Sequence, residues 1–255
     1  MMRKALQLAV FFTASLAVLP AQEESRVLAA VERSGLISGI PVSSIAGAPF
    51  SATAVIELQY EVEDEDPAVL RTINLLARDS KGRTRKETRR LMPESFHGSP
   101  QVLAVRLYDP ETHVFTIYDP VLHIARRQVV PEQANTEAKP IAAAHKEDLG
   151  ASTIDGLSTR GTRVRNKLSA KVSGTGYSVE TELEEWYSEE LHLDLLVRYT
   201  DPRLGTETIG ISNLKREEPS PSSFEIPRGY KIVDVAPGPS PESPGKDAAA
   251  IAFTH

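Results

Sequence analysis

The chain contains no cysteine and a single tryptophan. Without cysteine there can be no disulfide, so the fold must rest on its own buried core even in an oxidising compartment. The same absence excludes thiolate zinc sites and anchoring through a lipidated cysteine. A cationic surplus is missing too: 29 Lys and Arg stand against 35 Asp and Glu, a net charge of −6. Nucleic-acid binding draws its affinity from phosphate neutralisation by a basic surface, so that class is excluded. The familiar catalytic spacings are also absent. There is no Gly-x-Ser-x-Gly elbow, no phosphate-binding glycine loop and no His-Glu-x-x-His. Ser212-Asn213-Leu214-Lys215 matches Ser-x-x-Lys but falls in a predicted strand, where the match reads as chance.

At the N-terminus Arg3 and Lys4 precede an apolar stretch from Ala5 to Leu19 that ends at Pro20-Ala21. This order of charge, apolar run and small residue predicts an export signal over residues 1–21, cleaved after Ala21. At about 15 residues the run is shorter than the roughly 20 a membrane-spanning helix needs, and no other stretch is long and apolar enough. Removing Arg3 and Lys4 leaves 27 basic against 35 acidic residues, a charge of −8. The expected location is the periplasm or the medium.

Residues 22–49 read as a leader or a short helix, with Ser25 as N-cap, Val27, Leu28 and Val31 on one face and Gly35 as the stop. From Phe50 the period changes to two. Phe50, Ala52, Ala54, Ile56, Leu58, Tyr60 and Val62 share one parity, while Ser51, Thr53, Glu57, Gln59 and Glu61 share the other. That is a long strand with one covered and one wet face. Further strands are expected over Val69–Arg78, Arg83–Met92, Val102–Tyr108, His113–Tyr118, Val121–Val129, two around Asp155-Gly156, Tyr177–Tyr187, Leu191–Tyr199 and Thr206–Leu214. The repeated Tyr-Asp-Pro at Tyr108 and Tyr118 reads as turn chemistry in a meander. A two-residue Asp119-Pro120 connection would pair Tyr118 with Val121. Pro131 to Glu147 reads as a surface excursion, and the proline-rich stretch from residue 234 to the end as a disordered tail. One curved, mainly β domain over residues 50–233 accounts for the pattern.

The six histidines, His97, His113, His123, His145, His192 and His255, are not at ligand spacing, and no metal or cofactor is implied. The basic run Arg83, Arg85, Lys86, Arg89 and Arg90 is polar on both parities. It is expected to form a charge-protected edge strand, with docking to an anionic surface or an acidic partner as the functional alternative.

The order of export signal, long strand, the Asp79-Ser80-Lys81-Gly82-Arg83-Thr84-Arg85-Lys86-Glu87 turn and strand, Glu185-Trp186-Tyr187 and the Leu193–Tyr199 strand resembles the outer-membrane lipoprotein carrier (LolA/LolB-like) superfamily. That group includes the lipid-sensing domain of the sigma-E regulatory protein. The Glu218–Tyr230 ending is similar to the Phe-x-x-Pro-x-Gly stretch of such proteins. The resemblance implies a large curved antiparallel sheet, or half-barrel, with few covering helices and a concave apolar face suited to acyl chains. Ile56, Leu58, Tyr60, Ile73, Leu75, Trp186, Leu193, Leu195 and Val197 are the residues expected on that face. The expected function is non-enzymatic binding of a lipid, a lipoprotein acyl chain or another apolar envelope ligand. The alternative is a structural or regulatory envelope module with a filled interior and a protein partner. An envelope hydrolase is the third reading.

Overall fold

The computed structural model describes residues 39–62, 66–130 and 145–237. The expected export signal, the Ser25–Gly35 helix, residues 131–144 of the excursion and the chain beyond 237 lie outside the described residues. Thirteen strands form one large, open, curved sheet. In chain order they are β1 (Phe50–Tyr60), β2 (Ala68–Arg78), β3 (Thr84–Arg89), β4 (Met92–Pro93), β5 (Val102–Asp109), β6 (Val114–Asp119) and β7 (Ile124–Val129). Then follow β8 (His145–Ile154), β9 (Leu157–Leu168), β10 (Val179–Ser188), β11 (Leu193–Asp201), β12 (Gly205–Lys215) and β13 (Lys231–Val235). Helix among the described residues is confined to the single turn α1 (Ala170–Ser173) and a 3-10 turn at Pro221–Phe224. The mainly β class read from the sequence is the one found.

Across the sheet the order is β13-β7-β6-β5-β3-β2-β1-β12-β11-β10-β9-β8, with the short β4 beside β2. Neighbours run antiparallel except β13, which lies parallel to β7. The N- and C-terminal halves of the chain therefore meet at β1 and β12 in the middle of the sheet. Turn chemistry makes the meander. Asp109 and Asp119 each accept backbone N–H bonds two residues on, and His113 and His123 take up left-handed φ of 54° and 52° before the next strand. Tyr-Asp-Pro-x-x-His is thus a turn module. Asp155 and Gly156, both at positive φ, form the two-residue turn between β8 and β9.

The alternation in β1 sets the faces. Ile56 pairs with Thr72 on one side and Ile209 on the other, and Leu58 with Leu70 and Glu207. On this covered face Phe50, Ala54, Ile56 and Leu58 are buried and pack with Leu70, Leu76, Leu193, Leu195 and Ile211. No described helix lies over them. A strap formed by residues 39–49 does, with Ile40 buried in the same core and Val42 packed against it. A Cβ on Gly39 would lie 2.8 Å from Asn74 Nδ2 and 3.4 Å from Ile56 Cδ1, so the strap rests directly on the sheet. The segment read as leader or helix is therefore irregular chain in its last eleven residues and enters the core through Ile40 and Val42. A smaller core of Val105, Leu107, Tyr118 and Ala125, closed by Ile226 and Tyr230, holds the β5–β7 arm to the C-terminal stretch.

Several local expectations are corrected. The Tyr118 turn is longer than two residues: Asp119 pairs with Ile124 and Tyr118 with Ala125, leaving Val121 and Leu122 in the turn, 59% and 60% exposed. Proline at the second position of a two-residue hairpin loop has the wrong φ, and the Asp119 side chain caps a longer turn instead. Residues 145–147 of the excursion belong to β8, and residues 234–235 of the tail belong to β13. In the second case Asp234 is held by a two-point ion pair with Arg127 on the neighbouring strand.

Candidate functional site

The covered face gathers Ile56, Leu58, Tyr60, Leu193 and Leu195 as buried residues of one cluster, with Val197 packed against it. Ile73, Leu75 and Trp186 do not join them. Ile73 pairs with Val55, Val55 with Gly210, Gly210 with Leu196, and Leu196 with Trp186. This row is one residue out of phase with Ile56 and therefore lies on the opposite face. Leu75 pairs with Thr53 on that same outer face. The covered positions of β2 belong to Leu70, Thr72, Asn74 and Leu76. Asn74 accepts a hydrogen bond from the Arg89 backbone N–H, which satisfies its buried carbonyl oxygen while its Nδ2 is left without a partner among the described residues. The Trp186 ring lies against Gly161, where an added Cβ would come within 2.8 Å of it, and its Nε1–H donates to Glu184 at 2.7 Å. The tryptophan thus seals the outer surface of β9 and β10.

The basic run is not at an edge. β3 lies between β2 and β5, paired on both sides. Its charges are compensated along the strand: Arg85 and Arg89 both bond Glu87, at 2.5 and 2.7 Å, because residues i and i+2 share a face. Arg83 bonds the buried Asp79 at 2.6 Å, and Lys86 is buried. Arg90 alone of the five is exposed. The Arg-x-Glu-x-Arg spacing was the available signal that these cations neutralise themselves.

Burial pushes the Glu87 carboxyl up, but the hydrogen bonds and charges of Arg85 and Arg89 outweigh it and hold the group below the usual carboxylate range. A depressed folded-state pKa gives stability that is present above the unfolded value and lost as pH falls through the folded one. Glu87→Gln should therefore cost about 2 kcal/mol at pH 7, between the ~1 of exposed pairs and the ~3–5 of fully buried ones. The loss relative to wild type should shrink as pH falls below about 4, in urea titrations at stepped pH. A variant penalty that does not change with pH would show that the carboxylate charge is not what matters.

Three carboxyls are pushed upward instead. Glu207 is 3% exposed, and neither of its oxygens has a hydrogen-bond partner. Burial raises its pKa to about 7. Burial and the nearby Glu185 raise Asp194 to about 6, and burial raises Glu185 itself. Glu207 and Asp194 were not singled out in the sequence, and Glu185 stood there only as part of the Glu185-Trp186-Tyr187 motif and of an acidic stretch, Glu180 to Glu185, read as a wet strand face, because alternation marks a covered position without telling whether a carboxylate there has a partner. Ser212 of the Ser-x-x-Lys match donates to the Thr53 carbonyl, an ordinary inter-strand contact.

Open space lies elsewhere. A cleft of about 380 Å3 separates β5 and β6 from the C-terminal stretch, lined by Leu107, Tyr108, Val114, Phe224, Ile226 and two arginines among others. Both arginines are engaged: the Arg83 guanidinium lies over the Phe224 ring at 4.9 Å besides bonding Asp79, and Arg127 pairs with Asp234.

No family model matches this chain, and no curated protein does. Among solved structures it is similar to an uncharacterized conserved protein from Thermus thermophilus, at 12% identity and a TM-score of 0.40 over 84% of this chain and 100% of the other. MucB in the Pseudomonas aeruginosa MucA/MucB complex is similar at 12% identity and a TM-score of 0.38, over 82% of this chain and 64% of that one. At 11% identity and a TM-score of 0.28 the chain is also similar to a LolA superfamily protein from Nitrosomonas europaea, over 78% of this chain and 97% of that one. These likenesses are too loose to carry a function, although the group that the sequence resembles is represented among them.

Proposed function

We propose that this protein is a non-enzymatic interaction module of the cell envelope whose sheet interior is filled, so that its partner is a protein rather than a lipid held inside the sheet. The observation that supports this reading is the burial of the covered face. Ile56 and Leu58, where an acyl chain was expected to lie, are 0% and 2% exposed, packed by the chain's own side chains. Holding an acyl chain needs apolar area that is still open, at roughly 0.8 kcal/mol for each methylene buried. More than half of the exposed large apolar residues lie at the other end of the sheet. Val121, Leu122, Val129, Ile232 and Val235 are five of the nine exposed large hydrophobic residues among those described, and all sit on or beside β7 and β13. Exposed apolar side chains clustered on an outermost strand, its neighbour and the adjoining turn are the kind of surface by which sheets meet protein partners.

Native mass spectrometry of the protein purified from an envelope fraction separates the readings. The bare mass and no saturable binding of a fluorescent fatty acid are expected, together with a discrete adduct from a photo-cross-linking residue at position 122. A stoichiometric lipid, lost in an Ile56→Trp variant that still folds, would overturn the proposal and return the carrier reading.

A further inference from the structure

Glu207 sits on the covered face at the junction of the two halves of the sheet. Leu58 on β1 is its cross-strand neighbour on one side and Tyr199 on β11 on the other. The titratable groups in the adjacent rows of these strands are Tyr60 and Asp201. Asp201 is committed: Arg203 binds it at two points, 2.9 and 2.6 Å, and the Tyr199 hydroxyl turns to it at 3.4 Å. Arg203 is further tied to the Ser173 carbonyl. The nearby cation is thus spent on Asp201, and the Glu207 oxygens remain without a hydrogen bond. A buried neutral carboxyl without a partner costs about 1–3 kcal/mol, whereas the ionised carboxylate costs several kcal/mol more and is relieved only by admitting water.

We propose that Glu207 is a pH-sensitive latch of the covered face: protonated, it lets β11, β12 and β1 close over the core, and ionised, it loosens that junction. The upward displacement of its pKa to about 7 places the transition in the physiological range. Its sign follows from linkage. Between the unfolded value near 4.5 and the folded value near 7 the native state keeps a proton that the unfolded chain has released, so stability falls as pH rises through this window and levels off above it. This is opposite to the behaviour of Glu87. The latch does not depend on what partner the protein has, because it acts on the closure of the sheet itself.

The test compares wild type, Glu207→Gln and Asp194→Asn by thermal unfolding and amide hydrogen exchange from pH 5 to 8. Wild type should lose stability over that range. Glu207→Gln should remove the larger part of the loss, raising Tm at pH 8 by about 5 °C. Asp194→Asn should remove only the part below about pH 6.5. After correction for intrinsic base catalysis, amides of residues 56–60 and 207–211 in the wild type should open roughly tenfold more at pH 8 than at pH 5. Those of β6 should not, and in Glu207→Gln neither set should. If Gln at this site does not fold, Glu207→Leu provides the same comparison. An unchanged pH slope in the folded variant, or loosening spread evenly over the sheet, would overturn the proposal.

Discussion

Arg78→Met is expected to lower the stability of the protein by about 4 kcal/mol, the largest loss from any single side chain on the covered face. Arg78 ends β2 with 0% exposure, and among the described residues its guanidinium pairs with carbonyls rather than with a carboxylate. Its guanidinium donates to three backbone carbonyls, those of Ala48 at 2.9 Å, Ser43 at 2.9 Å and Leu191 at 2.6 Å, and it lies 5.1 Å from the centre of the Phe50 ring. Two of those carbonyls belong to the strap over the core and the third to the β10–β11 turn, so one cation joins the strap, β2 and the C-terminal half of the sheet. Methionine would keep the apolar length but leave three carbonyls without a donor, at about 1–3 kcal/mol for each that cannot reach water. Lysine should recover only part of the loss, since a point charge cannot fork toward three acceptors as a planar guanidinium does. Urea unfolding of the three proteins checks the order. A methionine variant within 1 kcal/mol of wild type would show that the strap is held by its apolar contacts, Ile40 and Val42, and not by Arg78.

Arg78 also shows where the sequence was informative and where it was not. Alternation located β1 and β2 to within two residues and identified Phe50, Ile56 and Leu58 as covered, because a period of two is a local property of the chain. It could not choose between the two parities of β2, which both contain aliphatic residues. Ile73 and Leu75 are the more apolar set, yet the pairing of β2 with β1 places Thr72 and Asn74 inside. Register between strands decides that, and a single strand does not contain it. The charged β3 was misplaced for the complementary reason. Polarity on both parities normally marks an edge, but here two arginines share one glutamate along the strand, so an interior position is electrostatically tolerable. The candidate site was the least legible part. Tyr60 and Leu58 were read correctly as covered, while Glu207 looked like any other acidic residue in a strand. Its environment is made by Leu58, some 150 residues earlier, and only the antiparallel junction of β1 with β12 brings the two together.

That junction depends on Gly205, and Gly205→Ala is expected to disrupt it at a cost of about 4 kcal/mol or more, beyond the usual range for one methyl group. Gly205 has a φ of 100°, where an L side chain is strained, and an added Cβ would lie 2.0 Å from the Gln59 carbonyl oxygen and 2.8 Å from the Tyr60 Cα. Both obstacles are backbone, so no rotamer change can make room. Gly210, on the same strand, is the natural control. A Cβ there meets nothing within 4 Å, and Gly210→Ala should be neutral or stabilising by about 0.5 kcal/mol, since alanine loses less conformational freedom on folding. Chemical unfolding of the two variants in parallel should separate them by several kcal/mol, and equal behaviour would rule out the close approach at Gln59 as a constraint. The consequence reaches the latch. If β12 escaped the clash by slipping one residue along β1, Thr206 and Thr208 would turn inward and Glu207 would face solvent. Its pKa would then return to the ordinary carboxylate range, and Gly205→Ala should lose the Glu207 share of the pH dependence, the part above about pH 6.5, along with its stability.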